Sequence, residues 1–444
     1  MRRGKNELLV LLVMGAAMGT IAGSAPAEEN RRGRTELQVL RKEVAALRER
    51  VAELEVRRPD TSKRAPDFRR SRKPRLELEV DGFVAAEGAF ETRSTDGDRF
   101  LNLAPFDGGG DDEADSLFSA RATRLGLSIR APEGPLGLSA RGRLEVDFDT
   151  DDAAPRIRHA YVSILDAPDE PTWELLFGQT WAVATQLNPE TVNNDNLFNL
   201  GNAYERVPQI RLSRHFDVQG GEVLLEAGLL RFFGAFDQGS AFGIPLALQQ
   251  PDGDSYEIRS SALPLGQLRV AWHPAGNSAY LAVSASGGEF RVEDAADQEE
   301  TVDHWLVAAE FRLPAWRTFQ LSGEAFWGRA PGFNAGVGQS VVVTSSGDVR
   351  AVESRGGFVQ LAVRPHDRVH CHLVYGIDDP ENRVADVRLS VPRNQTALGN
   401  CFWRLHPALD LALEVQGVRT EWQVQGDAFE ADDLRVTPAL YLRF

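Results

Sequence analysis

The chain has 444 residues, with 49 Lys or Arg and 65 Asp or Glu, so its formal net charge at pH 7 is −16. After the first residues no apolar run approaches the roughly 20 residues of a membrane-spanning helix, which excludes an inner-membrane helix bundle. Residues 1–75 contain 19 basic and 10 acidic residues and leave 30 and 55 for the remainder, a balance of −25. So acidic a remainder argues against nucleic-acid binding.

Residues 1–27 are predicted to be a secretory signal peptide. The basic segment MRRGKNE precedes the apolar run LLVLLVMGAAMGTIAG, and Ala25-Pro26-Ala27 is typical of a cleavage site. A membrane anchor is the alternative, but the apolar run is short, contains glycine and leads directly into the cleavage motif. We therefore expect the mature protein to be exported.

Residues 28–58 have the heptad pattern of a short coiled-coil helix, because apolar residues alternate at spacings of three and four among Glu, Arg and Lys. The apolar positions are Leu37, Leu40, Val44, Leu47, Val51 and Leu54. The pattern predicts self-association. One amphipathic helix packed on its own body is the alternative, since fewer heptads are present than the ~3 to 4 of a firm assignment. Residues 59–75 are predicted to be a basic, proline-containing linker.

From residue 76 onward the hydrophobic period changes to two, which is the period of a strand with one buried face. About sixteen strands are predicted, with lengths near the ~9 to 11 residues of a tilted membrane strand. The predicted strands are residues 76–90, 119–130, 136–149, 156–165, 172–183, 207–216, 221–232, 263–272, 278–287, 303–313, 317–328, 354–364, 368–377, 396–406, 409–422 and 435–444.

The connections between these strands alternate in length. Every second connection is a tight turn, whereas the others are longer or acidic. The long connections are residues 91–118, 184–206, 233–262, 288–302, 329–353, 378–395 and 423–434. Tight turns on one rim and long loops on the other are the signature of an outer-membrane barrel. The sequence thus predicts an all-β fold, a transmembrane antiparallel β-barrel over residues 76–444 that follows the coiled-coil helix.

Side-chain polarity agrees with this interpretation. In one strand Trp305, Val307 and Phe311 alternate with Glu310 and Arg312. Apolar side chains should face lipid and charged ones the lumen, because a barrel leaves no backbone edge unpaired in hydrocarbon.

Arginine is concentrated in the first half of the barrel. Arg141 and Arg143 share a strand face with Glu145 and Asp147, and Arg124 and Arg211 also lie opposite apolar neighbours. These side chains should project into the lumen, where a guanidinium row attracts anions and its fork matches a carboxylate or phosphate. The alternative is that lumen carboxylates neutralise each arginine, which then only braces the barrel.

Motifs for metal binding, nucleophilic catalysis and phosphate binding do not occur in the sequence, so no catalytic residue, metal site or cofactor is predicted. His370 and His372 share a strand face without a third ligand nearby, and an ordinary lumen pair is favoured over a metal site. His159 and Ser163 lack the positioned third group of a hydrolytic triad.

Cys371 and Cys401 are the only cysteines. They should point to the same side of neighbouring strands, so a cross-strand disulfide and two free thiols both remain open.

Consecutive motifs resemble the DcaP-like trimeric porins of bacterial outer membranes. The motifs are RATRLGLSIRAPEGPLGLSARGRLEVDFD, RIRHAYVSI, LLFGQTW, NPET and ERVPQIRLSR, which together cover most of residues 119–214. The resemblance implies a periplasmic coiled coil, three sixteen-stranded barrels, and an inward-folded loop with an arginine-rich constriction that passes dicarboxylates and similar small anions. It implies Leu187 to Tyr204 as the constriction loop. The pore-lining positions that it implies are Arg124, Arg141, Arg143, Arg156, Arg158, Arg206 and Arg211, beside Glu145 and Asp147.

Two features depart from the family pattern. Acidic clusters, among them DDEAD at residues 111–115, fall in the predicted outer loops, where they would repel anions. In addition, strict alternation puts Arg156 and Arg158 on the same face as Val162 and Ile164, which places one of the two arginines where it could brace a subunit interface.

The predicted function is that of an outer-membrane porin for passive diffusion of small hydrophilic solutes, with an anion or dicarboxylate preference as a secondary expectation. The alternative is an envelope-tethering anchor that acts through the coiled coil and basic linker. The predicted partners are two further copies of the chain, outer-membrane lipids and the barrel assembly machinery. The terminal strand should close the barrel against residues 76–90, and Phe444 resembles the carboxyl-terminal signal that this machinery recognises.

Overall fold

A computed structural model describes residues 76–444 except 94, 96–99, 106–112, 135, 151–152, 193–195, 232–256, 261–262, 277, 294–298, 333–334, 338–339, 345–347, 382–388 and 425. The predicted signal peptide (1–27), coiled-coil helix (28–58) and linker (59–75) lie outside the described residues. No helix in the described part of the chain is long and apolar enough to cross a membrane.

The described residues form a closed antiparallel barrel of sixteen strands, which confirms the predicted fold class. In chain order the strands are β1 Glu77–Glu91, β2 Asp115–Ser119 with Arg124–Ala131, β3 Ser139–Asp147, β4 Arg156–Leu165, β5 Trp173–Trp181, β6 Arg206–Val218, β7 Gly221–Leu230, β8 Glu257–Ser260 with Leu265–Pro274, β9 Tyr280–Glu293, β10 Glu299–Arg312, β11 Phe319–Arg329, β12 Glu353–His366, β13 Val369–Pro380, β14 Leu389–His406, β15 Leu409–Val424 and β16 Asp427–Arg443. Each strand pairs with its neighbours along the chain, and β16 pairs with β1, as in Ala85 opposite Tyr441.

Two of the sixteen strands are interrupted. Both segments of β2 pair with β1, and both segments of β8 pair with β9, so each pair of segments occupies one position in the wall. In the gap of β2 the side-chain oxygen of Thr123 accepts a hydrogen bond of 3.2 Å from the backbone N–H of Ala85. A side chain thus replaces the missing ladder bond.

The rim that contains the tight turns, here called the short-turn rim, is also where β1 begins and β16 ends. Several strands extend beyond the predicted bounds toward the opposite rim: β14 begins at Leu389 and β16 at Asp427. Most of the described residues in the predicted loops 288–302, 378–395 and 423–434 therefore belong to strands. The hydrophobic alternation ends where the apolar belt ends, but the strands continue to pair beyond it. Polar side chains face each other there, as in Arg419 and Asp432, whose Nε and Oδ1 atoms lie 2.6 Å apart. Within the loop after β11, the short strands Val341–Val343 and Val349–Ala351 pair with each other.

The barrel wall has an apolar outer face and a more polar inner face. On β9, Leu281 and Val283 are 50% and 64% exposed, whereas the intervening Ala282 and Ser284 are buried. On β10, Val307 is exposed outside while Glu310 is buried inside. The arrangement matches a wall whose outer face meets lipid.

A disulfide joins Cys371 of β13 to Cys401 of β14, with the two Cα atoms 4.0 Å apart in directly opposed register. Of the two alternatives that the sequence leaves open, the structure contains the bridge. Cys371 shares its strand face with Leu373 and Tyr375, whose side chains are exposed on the outside. The bridge therefore lies on the outer face, close to the short-turn rim.

We expect Cys371→Ser to lower the free energy of unfolding. The bridge closes a loop with a sequence separation of 30, and for a loop of that length the chain-entropy relation gives about 3 to 4 kcal/mol. Urea unfolding of the barrel in lipid vesicles, followed by tryptophan fluorescence, measures the change. Wild-type protein in a reducing agent should match the variant, and an unchanged midpoint in both samples would contradict the expectation.

Candidate functional site: the inner wall and the inward loop

Residues 182–205 connect β5 to β6 and are called the inward loop; its described residues, 182–192 and 196–205, lie inside the barrel. Most of this segment is buried, and its backbone N–H groups donate hydrogen bonds to lumen-facing side chains. The donor–acceptor pairs are Val183–Gln267 at 2.8 Å, Ala184–Gln267 at 2.9 Å, Glu190–Gln360 at 2.7 Å, Val192–Glu414 at 2.9 Å, Ala203–Glu324 at 3.2 Å, and Leu187–Glu310. The loop is thus held by its backbone, and the acceptors are carboxylate and amide oxygens.

Close backbone packing fixes the far end of the inward loop. A Cβ atom on Gly376 of β13 would lie 2.1 Å from the carbonyl oxygen of Leu200. Gly201 has φ +104°, and a Cβ there would lie 2.3 Å from the carbonyl oxygen of Gly357. Leu197 and Leu200 pack in an apolar cluster with lumen-facing residues such as Val374. A larger residue at Gly376 would have to displace the loop.

These backbone attachments run from β8 to β16, where the Tyr441 hydroxyl donates to the Val192 carbonyl. The predicted arginines instead lie on β2, β3, β4 and β6. The segment predicted as the constriction loop, Leu187 to Tyr204, falls within the inward loop. Loop and arginines therefore occupy different sectors of the inner wall.

Four of the predicted arginines and four carboxylates form one connected group, here called the charge cluster. Its members are Arg124, Arg143, Arg156, Arg158, Asp81, Glu145, Asp147 and Asp149. Glu145 lies 3.4 Å from Arg124, 2.8 Å from Arg143 and 3.0 Å from Arg158. Asp147 lies 2.9 Å from Arg156 and 2.7 Å from Arg158. Asp81 pairs with Arg143, and Asp149 lies 3.1 Å from Arg156. Four positive and four negative groups balance, so the cluster is formally neutral.

A β-bulge brings Arg156 and Arg158 into the cluster. The register between β3 and β4 shifts at Glu145 and Val146, because Glu145 faces His159 while Val146 faces Ile157. One extra residue in β4 changes which face the later side chains occupy. Both arginines therefore contact Asp147 on the inside, while Val162 is 57% exposed on the outside. The expectation from strict alternation, which put all of them on one face, is wrong.

The remaining predicted arginines differ in their partners. Arg141 Nε donates to Glu174 at 3.2 Å, and Arg211 lies 3.7 Å from Glu226. Arg206 makes no ion pair with a described carboxylate; its guanidinium carbon lies 5.1 Å from the centre of the Trp181 ring, and its buried Nη1 has no hydrogen-bond acceptor. Six of the seven predicted arginines are thus ion-paired, and the role of all seven in binding anions remains a prediction.

Arg269, which was not among the predicted pore arginines, joins Arg211 in a second network of ion pairs. This buried side chain lies 3.1 Å from Glu226 and 2.9 Å from Glu310. Glu226 also contacts Arg211, and Glu310 accepts the N–H of Leu187, so the network runs from β6 to the inward loop. The available signal was the position of Arg269 between Leu268 and Val270, which is the alternation that located the other arginines.

The histidines are placed as ordinary lumen residues. His372 Nδ1 lies 2.8 Å from the Asn400 side chain, and the rings of His370 and His372 are 5.9 Å apart. His159 Nδ1 lies 2.9 Å from Thr180 Oγ1, so its partner is not Ser163. Among the described residues no group of three His, Cys, Asp or Glu side chains is placed to hold a metal ion.

No protein-family model and no curated protein matches the sequence. Among solved structures, the outer membrane channel DcaP of Acinetobacter baumannii superposes with a TM-score of 0.62 at 19% identity, over 83% of this chain and 97% of that chain. The chain has the DcaP barrel fold. An anion-selective porin from Comamonas acidovorans superposes with a TM-score of 0.51 at 12% identity, over 83% of this chain and all of that chain. The resemblance to DcaP-like porins inferred from residues 119–214 is confirmed at the level of fold.

We expect Asp147→Ala to destabilise the barrel by about 3 to 5 kcal/mol, because it leaves two arginines without their shared buried acceptor. The Arg156 and Arg158 side chains are only 23% and 6% exposed. Urea unfolding in vesicles measures the loss.

The matched control is Asp432→Ala, which breaks an arginine–aspartate pair whose side chains are 51% and 61% exposed. Its expected cost is below about 1 kcal/mol. Equal costs for the two substitutions would show that the charge cluster contributes no more than a surface pair.

Proposed function

We propose that the protein is an outer-membrane porin through which small hydrophilic solutes diffuse passively. The observation that carries the proposal is the division of the inner wall: the inward loop is attached to β8–β16, and a charged wall lies on β2–β6. Solutes pass between these two surfaces. The DcaP barrel fold supports a channel, and the barrel shape supports a membrane location.

Exposure of lumen-facing charges supports a water-filled passage. The Arg141 side chain is 43% exposed to solvent, although it faces inward and pairs with Glu174. The Asp81 side chain, which pairs with Arg143 of the charge cluster, is 39% exposed. Charged side chains that face a barrel interior yet remain solvated are expected where the interior contains water.

The finer proposal is a modest preference for anions, and Arg206 is its main support. The charge cluster is formally neutral, and Arg141, Arg211 and Arg269 each pair with glutamate. Arg206 adds one positive charge that no described carboxylate offsets. Inside a narrow passage of low dielectric, an uncompensated guanidinium attracts anions and repels cations.

A sealed anchoring barrel is the second candidate, and one observation favours it. Two further loops fold inward: the Trp422 Nε1–H donates to the Ala104 carbonyl at 2.9 Å, and the Val337 N–H donates to Asp378 at 2.9 Å. With the inward loop they form an apolar cluster inside the barrel. If these loops close the lumen, the barrel serves to tether the envelope.

The assembled form that we propose is a homotrimer, with residues 28–58 as a periplasmic coiled coil. Phe444 pairs with Gly82 through two backbone hydrogen bonds of 3.1 and 3.2 Å, while its side chain is 55% exposed. An exposed terminal aromatic remains available to the barrel assembly machinery, so we propose that it serves as the assembly signal.

We expect the purified protein to produce discrete conductance steps in planar bilayers, whereas a sealed barrel would remain silent. Under a KCl gradient, Arg206→Gln should reduce the chloride-to-potassium permeability ratio about threefold, because one unscreened positive charge is lost. Arg214→Gln is the control, since Arg214 lies on the same strand but on the outer face, with its guanidinium 5.6 Å from the Phe216 ring. An equal change in both variants would refute the role of Arg206.

We expect Gly376→Ala to lower the single-channel conductance, because the new Cβ pushes Leu200 and the inward loop away from the wall and toward the pore axis. Gly417→Ala is the control: its Cβ would meet nothing closer than the Ala397 carbonyl at 3.9 Å. Conductance of both variants at one salt concentration tests the difference. If Gly376→Ala has the same single-channel conductance as wild type, the inward loop does not form the constriction.

A further inference from the structure

A second group of arginines lines the lumen near the short-turn rim, on strands that carry none of the predicted pore arginines. Arg312 ends β10, Arg317 lies in the turn to β11, and Arg364 lies near the end of β12. All three line a cavity of about 380 Å³, together with polar residues that include Gln320 and Gln360. This volume is within the range of roughly 300 to 1,000 Å³ for small-molecule sites.

The strand register brings these residues together. Arg312 faces Ser322 of β11, Gln320 faces Ala362 of β12, and the Arg364 N–H donates to the Thr318 carbonyl at 2.8 Å. Arg312 shares the inner face of β10 with the buried Glu310, and Arg364 shares the inner face of β12 with the buried Gln360. Their side chains therefore point into the lumen.

The guanidinium groups of these three arginines are not neutralised. In contrast to the charge cluster, none makes an ion pair or a side-chain hydrogen bond with another described residue. Arg312 lies 5.3 Å from the centre of the Tyr280 ring and Arg317 lies 5.0 Å from that of Trp316. These aromatic contacts orient the side chains while leaving their N–H donors available.

One carboxylate, that of Glu190, lines the same cavity. Glu190 is held at the inward loop by its own backbone, since its N–H donates to Gln360 at 2.7 Å and its carbonyl accepts from Asn400 at 2.7 Å. Three guanidinium groups and one carboxylate leave a formal excess of two positive charges. This excess matches a dianion.

We propose that Arg312, Arg317 and Arg364 form an anion-binding site, called the rim site, for a small solute that carries two carboxylates or a phosphate group. The guanidinium fork donates two parallel hydrogen bonds to either group. The Ser322 hydroxyl, which accepts from the Gln360 amide at 3.5 Å, adds a neutral donor beside it. The inference rests on the proposed pore function, because the solute reaches the rim site through the lumen.

The rim site lies between the inward loop and the short-turn rim. It therefore gives the channel a binding position on the short-turn side of the loop. Conduction through several weak sites requires each to bind and release the solute. Since the rim site opens toward the short turns, a dianion added on that side should reach it without passing the inward loop. Block of the channel by the dianion should therefore be stronger from the short-turn side.

The test compares wild type with the Arg312→Gln, Arg364→Gln double variant in planar bilayers. Succinate and inorganic phosphate are added separately to each side, and the half-blocking concentration is measured in KCl. In the double variant it should rise about tenfold for the anion that the site binds, which corresponds to the loss of charge-assisted hydrogen bonds. The two probes distinguish a dicarboxylate site from a phosphate site.

Arg404→Gln is the matched control, because Arg404 faces the lumen at the same rim but lies 3.3 Å from Asp410. Its half-blocking concentrations should equal those of wild type. Block of wild type by neither anion, or equal block of wild type and double variant, overturns the proposal. If the double variant does not fold, Arg364→Gln alone replaces it, since that side chain is exposed.

A calorimetric titration of the micelle-bound protein with each anion separates this inference from the pore function. A silent channel that still binds succinate or phosphate, and loses the binding in the double variant, refutes the porin and supports the rim site. A conducting channel that shows no heat with either anion refutes the rim site and leaves the porin intact.

Discussion

The constraint on which the structure depends is that every backbone N–H and C=O inside hydrocarbon needs a partner. A sheet satisfies it only by closing, and here β16 closes onto β1 from Phe83–Arg443 to Glu91–Arg435. Closure fixes which side chains face inward. Where a strand is interrupted or contains an extra residue, nearby groups must restore the pairing. The Thr123 hydroxyl in the gap of β2 and the bulge in β4 are two such repairs.

Closure also explains why so many lumen carboxylates have two partners. A side chain on the inner wall can reach both a neighbouring strand and the loops that enter the barrel. Glu310 accepts the Leu187 N–H of the inward loop through one oxygen and pairs with Arg269 through the other. Loop position and wall charge are therefore held by the same groups, and a substitution at Glu310 would alter both. The rim site differs because its three arginines have no such partners among the described residues.

The period-two pattern and the alternating connection lengths were sufficient to predict sixteen strands. The pattern follows from a wall with an apolar outer face and a polar inner face, and the lengths follow from the two rims. The pattern failed at Arg156 and Arg158, since a bulge changes the facing of side chains without changing the sequence pattern. It also stopped short of the true ends of β14 and β16, where the strands leave the apolar belt. Hydrophobicity reports on lipid contact rather than on backbone pairing.

The ion-pair partners of the lumen arginines were the property hardest to predict from the sequence. Arg143 pairs with Asp81, 62 residues away, and Arg141 with Glu174, 33 residues away. Such partners are known only once the register is known, so the sequence could locate the arginines in the lumen but could not decide which of them are neutralised. For the same reason Arg312 was predicted to face the lumen but not to bind anions, and Arg364 was not predicted as a pore residue.

The bridge between Cys371 and Cys401 has a consequence for where the barrel matures. Disulfides persist in oxidising compartments and are rare in the cytosol, where thiols are kept reduced. A covalent link between β13 and β14 therefore ties completion of the wall to a compartment outside the cytoplasm. The wall of the barrel and the leader segment predicted at residues 1–27, two unrelated parts of the chain, thus indicate the same destination.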